Sequence, residues 1–327
     1  MNNDGNKISY ETAAEAVRGK IAEALAQTPK ILSSMMDSLA MSQGKNIRGS
    51  LTVLSSCDAD GMAEDTAVKI AAAIELLHLA SLVHDDIIDD SDTRRGLPSL
   101  QSKFGKKNAV MAGDYLFCLC FSLISEAYSS RASSDYIDKI SDFSKVIGLL
   151  CLGEIRQNEH NFDFDLDLKN YLRIIGGKTA SLFALSMYTG ARSSDMPHDK
   201  AKIYGRIGGY FGIIFQLIDD CLDYDGEFST VEKPIGKDLR EGIITLPFIY
   251  AARKEPALKK LLSASLPQED SFDTAILKIR ELGGVAHTKV LAGKYRAKAM
   301  KLIMTLENDY KKKELTSMLD RIYDRQK

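Results

Sequence analysis

The chain of 327 residues is poor in proline and cysteine and nearly balanced in charge. Seven prolines leave long stretches without a helix-breaking residue, and the alternation typical of strands is scarce. A net charge of −2 gives no reason to expect nucleic acid or an anionic membrane as a partner. No uncharged apolar run reaches the roughly 18 residues that span a bilayer, and no signal-peptide pattern opens the sequence. We therefore expect a helical, cytoplasmic protein without a membrane span.

The five cysteines exclude two kinds of site. None belongs to a Cys-x-x-Cys pair, and most lie in apolar segments with helical character. A zinc site usually needs such pairs, and a disulfide framework is typical of small secreted chains. We therefore predict that the cysteines are reduced core residues of a cytosolic protein. No Ser-His or Cys-His arrangement of a nucleophile and its base is recognisable either.

Apolar residues recur with the helical period along almost the whole chain. The segment from Ala63 to Asp90 is apolar nearly all round, which is typical of a centrally buried helix. Other helices are predicted at residues 11–27, 46–57, 108–128, 134–157, 167–189 and 199–225, and helices with short turns from about Thr245 onwards. Loops are predicted at residues 91–105, 161–167 (capping the next helix) and 226–242. Since no linker or composition shift divides the chain, we predict one all-α domain over residues 1–327.

One acidic motif occurs twice. Residues 85–89 read Asp-Asp-Ile-Ile-Asp and residues 219–223 read Asp-Asp-Cys-Leu-Asp, each at the end of a long apolar segment. On a helix, residues four apart share a face, where like charges repel unless cations neutralise them. Mg²⁺ prefers carboxylate oxygens together with water and substrate phosphates. A single motif is more often a solvated surface, but the repeat predicts two facing clusters that hold Mg²⁺ ions and one diphosphate.

The sequence around both motifs resembles that of the trans-isoprenyl diphosphate synthases from about Gly44 to the C-terminus. The matching blocks are residues 78–96, residues 215–225, Gly177-Lys178-Thr179-Ala180 and Thr245-Leu246-Pro247. The resemblance implies an all-α fold, a single large helical bundle of the isoprenoid synthase type with a central active-site cavity. It also implies a prenyltransferase, usually a homodimer, that acts on isopentenyl diphosphate and an allylic diphosphate.

In that family the allylic diphosphate leaves, the double bond of isopentenyl diphosphate attacks the resulting carbocation, and a proton is lost. The resemblance implies several Mg²⁺ ions per active site, because Mg²⁺ and cationic side chains stabilise the departing anion. Their implied ligands are Asp85, Asp86, Asp89, Asp219, Asp220 and Asp223. Asp90 and Asp225 are weaker candidates one shell further out.

The same resemblance assigns basic residues to two diphosphate pockets, since arginine binds phosphate with paired hydrogen bonds and lysine adds a point charge. The allylic pocket is expected to contain Arg94, Lys178, Thr179, Gln216, Lys233 and Lys237. The pocket for isopentenyl diphosphate is expected to contain Lys45, Arg48, His78 and Arg95. Residues expected to act directly in catalysis are Asp85, Asp86, Asp89, Arg94, Lys178, Asp219 and Lys237.

Taken singly, some of these residues have ordinary explanations. Arg94 and Arg95 could balance Asp92 in a loop, His78 could be a core histidine, and Lys178 could be an ordinary surface lysine. Their joint placement around the two motifs favours the diphosphate assignment.

The chain departs from the family pattern at two places. Gly49 stands where the family has proline, which is expected to loosen the start of a helix. Glu232-Lys233 replaces a Gly-Lys pair, so the role of Lys233 stays open. Near the C-terminus, Arg325 could reach a phosphate or belong to a frayed tail.

Product length in this family depends on what blocks a tunnel that runs along the helix before the first motif. Ser81 and Ala80, four and five positions before Asp85, are small where farnesyl-type relatives carry an aromatic residue. We therefore expect a product longer than C15, in the geranylgeranyl to octaprenyl range. Deeper positions are Leu77, Ile74, Ala73 and Met111, with Phe117 or Phe121 as the candidate floor.

The sequence leaves three alternatives to this interpretation as a homodimeric prenyltransferase. A terpene cyclase of the same fold typically has a second motif of Asn/Asp, Ser/Thr and Glu, which this chain lacks. The chain could be the catalytic subunit of a heterodimeric medium-chain synthase, and the motifs do not exclude a second subunit. A purely structural helical protein is least favoured, because it would not place so many uncompensated carboxylates at the ends of apolar helices.

Overall fold

A computed structural model describes residues 7–41, 44–129, 133–225, 235–263 and 269–325. In chain order the helices are α1 (Tyr10–Ala26), α2 (Ser33–Met41), α3 (Ile47–Ser56), α4 (Asp65–Ile88), α5 (Leu100–Phe104), α6 (Lys106–Tyr128), α7 (Ser133–Glu159), α8 (Leu168–Ile175), α9 (Ser181–Ser193), α10 (His198–Tyr224), α11 (Lys237–Arg240), α12 (Leu246–Lys254), α13 (Ala257–Leu262), α14 (Glu269–Glu281), α15 (Gly284–Ile303) and α16 (Asp309–Tyr323). Two-residue strands form two antiparallel pairs, β1 (Ile8–Ser9) with β2 (Met62–Ala63) and β3 (Thr93–Arg94) with β4 (Leu97–Pro98). The predicted all-α class is confirmed.

Contacts within the chain group its residues into two compact units. The first comprises residues 1–145, 182–208 and 306–314, and the second comprises residues 146–181, 209–305 and 315–327. The single domain over residues 1–327 therefore stays a prediction.

Helix α4 forms the core of the first unit. From Ala67 to Leu77 every side chain except that of Lys69 is buried, and α1, α3 and α6 all pack against this helix. A helix that is apolar all round can take neighbours on several sides. Lys69 pairs with Glu126 near one end of α6 (Nζ–Oε1, 3.1 Å), and His84 pairs with Asp114 near the other (Nε2–Oδ1, 3.4 Å). The predicted buried helix is confirmed, and α6 runs antiparallel to it.

In the second unit, α12, α14 and α15 pack against one another. Asp167 is the N-cap of α8, and its Oδ1 accepts a hydrogen bond from the N–H of Asn170 at 2.7 Å, so the predicted cap is confirmed. The sequence predicted one uninterrupted helix over residues 167–189, but a π-helical turn at Gly176–Ala180 interrupts it. Two adjacent glycines are poor helix formers, and a periodicity argument does not register that weakness.

The prediction of a plain loop over residues 91–105 was wrong. This segment contains the hairpin of β3 and β4 and the short helix α5. The hairpin turns at Arg95 and Gly96, which both have positive φ (52° and 78°), as a two-residue type I′ turn requires. Arginine is an uncommon residue at such a position, and this is why the turn was missed.

The prediction that the cysteines lie in the core holds for three of the five. Cys57, Cys120 and Cys221 are buried, whereas Cys118 on α6 and Cys151 on α7 are exposed; all five are free thiols. An apolar segment indicates a helix, but it does not indicate which face of that helix is buried against the rest of the chain.

Within the described residues, two helices are long and apolar enough to cross a membrane by length and composition. They are α4 and α6, and 72% and 39% of their most apolar 18-residue windows are buried inside the chain. Core helices pass the same test, and the burial of α4 is accounted for by its position in the first unit.

Candidate functional site

The first aspartate cluster lies at the C-terminal end of α4. Asp85 and Asp86 belong to the last turn of the helix, and Asp89 is its C-cap, donating its N–H to the carbonyl of Asp85 at 2.8 Å. The helix dipole makes this end negative, and the last turn carries no basic residue. Three carboxylates at such an end are electrostatically unfavourable by themselves. The arrangement is therefore suited to binding cations.

Arg94 stands beside this cluster. Its Nε donates to Oδ2 of Asp86 at 2.7 Å, and the side chain of Asp86 is only 8% exposed. The hairpin of β3 and β4 brings Arg94 back to the end of α4, so it does not merely balance Asp92. The weaker metal candidate Asp90 pairs with Lys106 at 2.7 Å.

Three of the four residues assigned to isopentenyl diphosphate, Arg48, His78 and Arg95, lie close together in the first unit. Burial and the charges of Arg48, Arg95 and Arg94 lower the pKa of His78 well below its ordinary value of 6.5, so the ring is neutral at pH 7. The guanidinium of Arg95 packs against Gly44, where an added Cβ would lie 2.5 Å from Nη2. Lys45 is exposed, two residues before α3 begins. A larger residue at position 44 would therefore displace the guanidinium of Arg95 from its place.

The second aspartate cluster lies at the C-terminal end of α10, whose last turn likewise has no basic residue. Asp219 is half exposed and pairs with Nη2 of Arg325 at 2.5 Å, while Asp220 is 1% exposed. Asp223 accepts hydrogen bonds from the N–H groups of Lys237 (3.0 Å) and Asp238 (3.3 Å). Arg325 is thus not part of a frayed tail, and the weaker candidate Asp225 pairs with Lys289 at 3.4 Å.

Burial controls the ionisation of this cluster. It raises the pKa of Asp220 to about 7 against the effect of hydrogen bonds from Gln216 and Tyr171. It likewise raises the pKa of Asp223 to about 6, opposed by the two N–H groups that the carboxylate accepts. A cation bound here would oppose both shifts, because its charge stabilises the ionised carboxylates.

A chain of side-chain hydrogen bonds holds Asp220. Thr179 donates to Oε1 of Gln216 at 2.8 Å, and Nε2 of Gln216 donates to Oδ1 of Asp220 at 2.9 Å. The buried hydroxyl of Tyr171 donates to Oδ2 of the same carboxylate. The sequence pointed to Thr179 and Gln216 but not to Tyr171, and its partner 49 positions away leaves no local signal.

Lys178 is held in the second unit by two residues of α7. Its Nζ lies 2.7 Å from Oε2 of Glu154 and donates to Oε1 of Gln157 at 3.2 Å. The π-helical turn approaches α7 so closely that a Cβ on Gly153 would lie 2.4 Å from the nitrogen of Lys178. Lys178 is therefore not an ordinary surface lysine.

Two further lysines, Lys237 and Lys233, belong to the predicted loop over residues 226–242. The N–H of Lys237 contacts Asp223, whereas its amine lies 3.4 Å from Glu241 and is half exposed. Lys233 lies outside the described residues. The sequence also missed Asp238, a carboxyl whose pKa is raised well above its ordinary value by burial and then by Asp223 and Asp220.

Neither cluster forms a closed metal cage. In the part of the chain that the structure describes, no three His, Cys, Asp or Glu side chains are grouped so as to bind one metal ion by themselves. A Mg²⁺ ion does not require such a group, since it keeps several waters and takes one or two carboxylates together with substrate phosphates.

Comparison with known proteins identifies the family. The sequence profile of the family described as polyprenyl synthetase matches residues 29–282, which is most of the chain. The chain belongs to the polyprenyl synthetase family. The resemblance inferred from the two aspartate motifs is thereby confirmed.

Individual members of the polyprenyl synthetase family are similar in sequence and structure. A heptaprenyl diphosphate synthase component 2 from Geobacillus stearothermophilus is 37% identical over 72% of this chain and 71% of its own length. The crystal structure of a heptaprenyl diphosphate synthase from Staphylococcus aureus has a TM-score of 0.89 at 30% identity, covering 98% of this chain and 100% of that one. A polyprenyl synthase from Caulobacter crescentus, crystallised with calcium and isoprenyl diphosphate, has a TM-score of 0.85 at 29% identity, covering 97% and 96%.

Proposed function

We propose that the protein is a Mg²⁺-dependent trans-prenyltransferase that condenses isopentenyl diphosphate with an allylic diphosphate. The observation that carries this proposal is the pair of aspartate clusters, each at the negative end of a helix without a basic residue in its last turn. The calcium and isoprenyl diphosphate of the Caulobacter relative support it.

The residues have separate tasks in this proposal. Asp85, Asp86 and Asp89 in the first unit and Asp219, Asp220 and Asp223 in the second would hold Mg²⁺. When bound, Mg²⁺ supplies positive charge that stabilises the departing diphosphate. Arg94, Lys178 and Lys237 bind the allylic diphosphate, while Lys45, Arg48, His78 and Arg95 orient isopentenyl diphosphate. Because His78 is neutral, it donates or accepts a hydrogen bond without adding charge.

The product is a polyprenyl diphosphate longer than C15, and the two heptaprenyl synthases among the relatives support this length. In the tunnel that the family resemblance implies along α4, the small residues Ser81 and Ala80 would leave the bore open near the first cluster. Met111 is 58% exposed and is not a candidate for its floor. We assign the floor to Phe121 because the antiparallel pairing of α4 and α6 places Phe117 beside His84 (ring centroids 5.6 Å apart) and Phe121 one turn deeper.

Phe121→Ala is expected to lengthen the main product by at least one isoprene unit, because it removes the side chain that blocks the growing tail. Phe117→Ala, the matched control on the same helix, is expected to change the product length less. Mass spectrometry of the products measures both. Equal lengthening by the two variants would contradict the assignment of Phe121.

We propose a cytoplasmic homodimer. An apolar stripe of Leu149, Leu152 and Ile155 on α7 is 43%, 46% and 53% exposed and supports a second copy as the partner. The Geobacillus relative is named as component 2 of its synthase, so a second subunit is the alternative partner. Light scattering of the purified chain distinguishes the two.

A product assay tests the proposed function. The purified chain is incubated with Mg²⁺, farnesyl diphosphate and labelled isopentenyl diphosphate, and chain lengths are read by mass spectrometry. We expect a ladder of elongated diphosphates that disappears when EDTA removes the metal. Cyclic hydrocarbon products would favour a terpene cyclase, and no product from folded protein with any primer would point to a required second subunit.

A further inference from the structure

The start of α3 is capped by a side chain from another helix. Asn46 occupies the N-cap position but makes no capping hydrogen bond with its side chain. Glu75, in the middle of α4, accepts the N–H of Gly49 through Oε1 at 2.6 Å and also accepts the N–H of Arg48. A proline at position 49 has no N–H and could not donate. The expected loosening is thus offset, because Gly49 makes a contact that proline cannot make.

Glu75 is a charged residue in a buried place. It is 8% exposed, and burying a carboxylate is costly unless hydrogen bonds and positive charges compensate. Burial raises its pKa, while the N–H of Gly49 and the charges of Arg48 and Arg95 oppose the rise. The negative charge of the Glu75 carboxylate therefore interacts with both arginines of the isopentenyl diphosphate pocket, Arg48 and Arg95.

Arg48 retains a donor without an acceptor. Its buried Nε has no hydrogen-bond partner within the described part of the chain, and its guanidinium lies 4.5 Å from the ring centroid of Phe183. Buried donors are almost always paired in folded proteins. A diphosphate oxygen is a suitable acceptor for this donor. The direction in which the Arg48 side chain points therefore determines whether it can bind the diphosphate.

We propose that Glu75 is a positioning residue of the isopentenyl diphosphate pocket. Its carboxylate fixes the first turn of α3, which sets the direction of Arg48, and its charge offsets the repulsion between Arg48 and Arg95 before the diphosphate binds. Glu75 contacts no reacting atom and acts through the two arginines. The inference rests on the proposed function.

Three variants test the role of Glu75. Glu75→Gln keeps the size and one acceptor oxygen but removes the charge, and Gly49→Pro removes the N–H that Glu75 accepts. Gly49→Ala is the matched control, because it keeps the N–H and adds a similar Cβ, 3.1 Å from Cγ of Glu75. Steady-state kinetics give kcat and both KM values, calorimetry gives the affinity for isopentenyl diphosphate alone, and thermal unfolding checks the fold.

We expect Glu75→Gln and Gly49→Pro to raise the KM for isopentenyl diphosphate about tenfold, as the loss of a charge-assisted hydrogen bond implies. The kcat and the KM for the allylic substrate should change less than about twofold, and Gly49→Ala should raise the KM for isopentenyl diphosphate less than about threefold. A merely structural role would alter all parameters together. If Glu75→Gln does not fold, the comparison of Gly49→Pro with Gly49→Ala still tests the role of Glu75.

The outcomes separate the two proposals. A wild-type chain that neither binds nor elongates isopentenyl diphosphate would overturn the proposed function, and the inference would fall with it. A wild-type chain that elongates normally, with unchanged KM in Glu75→Gln or equal KM in Gly49→Pro and Gly49→Ala, would overturn the inference alone.

Discussion

Asp86→Asn is expected to lower kcat about 10³-fold, the upper range for removing one preorganised electrostatic group from an active site. Asp86 is the buried member of the first cluster and accepts a hydrogen bond from Arg94 at 2.7 Å. The substitution keeps the shape of the side chain but removes the charge that binds the metal and orients the arginine. Steady-state elongation of farnesyl diphosphate at saturating substrate measures the loss, and the half-saturating Mg²⁺ concentration should rise as well.

The matched control is Asp65→Asn at the opposite end of the same helix. Asp65 is exposed and pairs with Lys69 at 3.0 Å, so its loss should cost less than about 1 kcal/mol of stability and leave kcat unchanged. Thermal unfolding of both variants separates a catalytic effect from misfolding. A folded Asp86→Asn variant with kcat within about tenfold of the wild type would remove Asp86 from the metal site.

The first cluster was predictable because its information is local. The motif at residues 85–89 follows an apolar segment of helical length, and α4 ends at Ile88, as the segment from Ala63 to Asp90 predicted to within two residues. Periodicity and charge spacing were sufficient to place Asp85 and Asp89 at the end of a buried helix.

The long-range hydrogen-bond partners in the candidate site were less predictable from the sequence. Tyr171 reaches Asp220 across 49 positions, and Glu75 reaches Gly49 across 26. Tyr171 looks like any core aromatic and Glu75 like any helical glutamate, because no periodicity rule records which buried polar groups will meet. The hairpin that carries Arg94 was missed for a related reason, since Arg95 adopts a backbone conformation that sequence rules reserve for glycine and asparagine.

Asp220→Asn is expected to lower kcat about 10²-fold and to remove a pH dependence from Mg²⁺ binding. In the wild type, burial raises the pKa of the Asp220 carboxyl from 3.8 to about 7. Mg²⁺ must displace the proton that this carboxyl carries below that value. The apparent affinity for Mg²⁺ should therefore increase about tenfold between pH 6 and pH 8, measured by calorimetry.

The stability of the metal-free chain should change in the opposite direction. Between pH 3.8 and about 7 the folded chain keeps the Asp220 proton that the unfolded chain has lost. The contribution of Asp220 to the free energy of unfolding is therefore fully present below pH 3.8 and is lost as the pH rises through about 7. Mg²⁺ should raise the melting temperature more at pH 8 than at pH 6.

The second cluster contains two carboxyls that could produce this pH dependence, and the variants separate them. Burial also raises the pKa of Asp223, to about 6, so its protonation fades at a lower pH than that of Asp220. If Asp220 is responsible, Asp220→Asn binds Mg²⁺ weakly with nearly the same affinity at pH 7 and pH 8, and its melting temperature becomes less sensitive to pH. The control Asp199→Asn, in the first turn of the same helix and paired with Lys202 at 3.6 Å, should behave as the wild type does. An unchanged pH dependence in Asp220→Asn would assign the titration to Asp223 or to its neighbour Asp238, and would leave Asp220 as a carboxylate that Tyr171 and Gln216 hold in place for structural reasons.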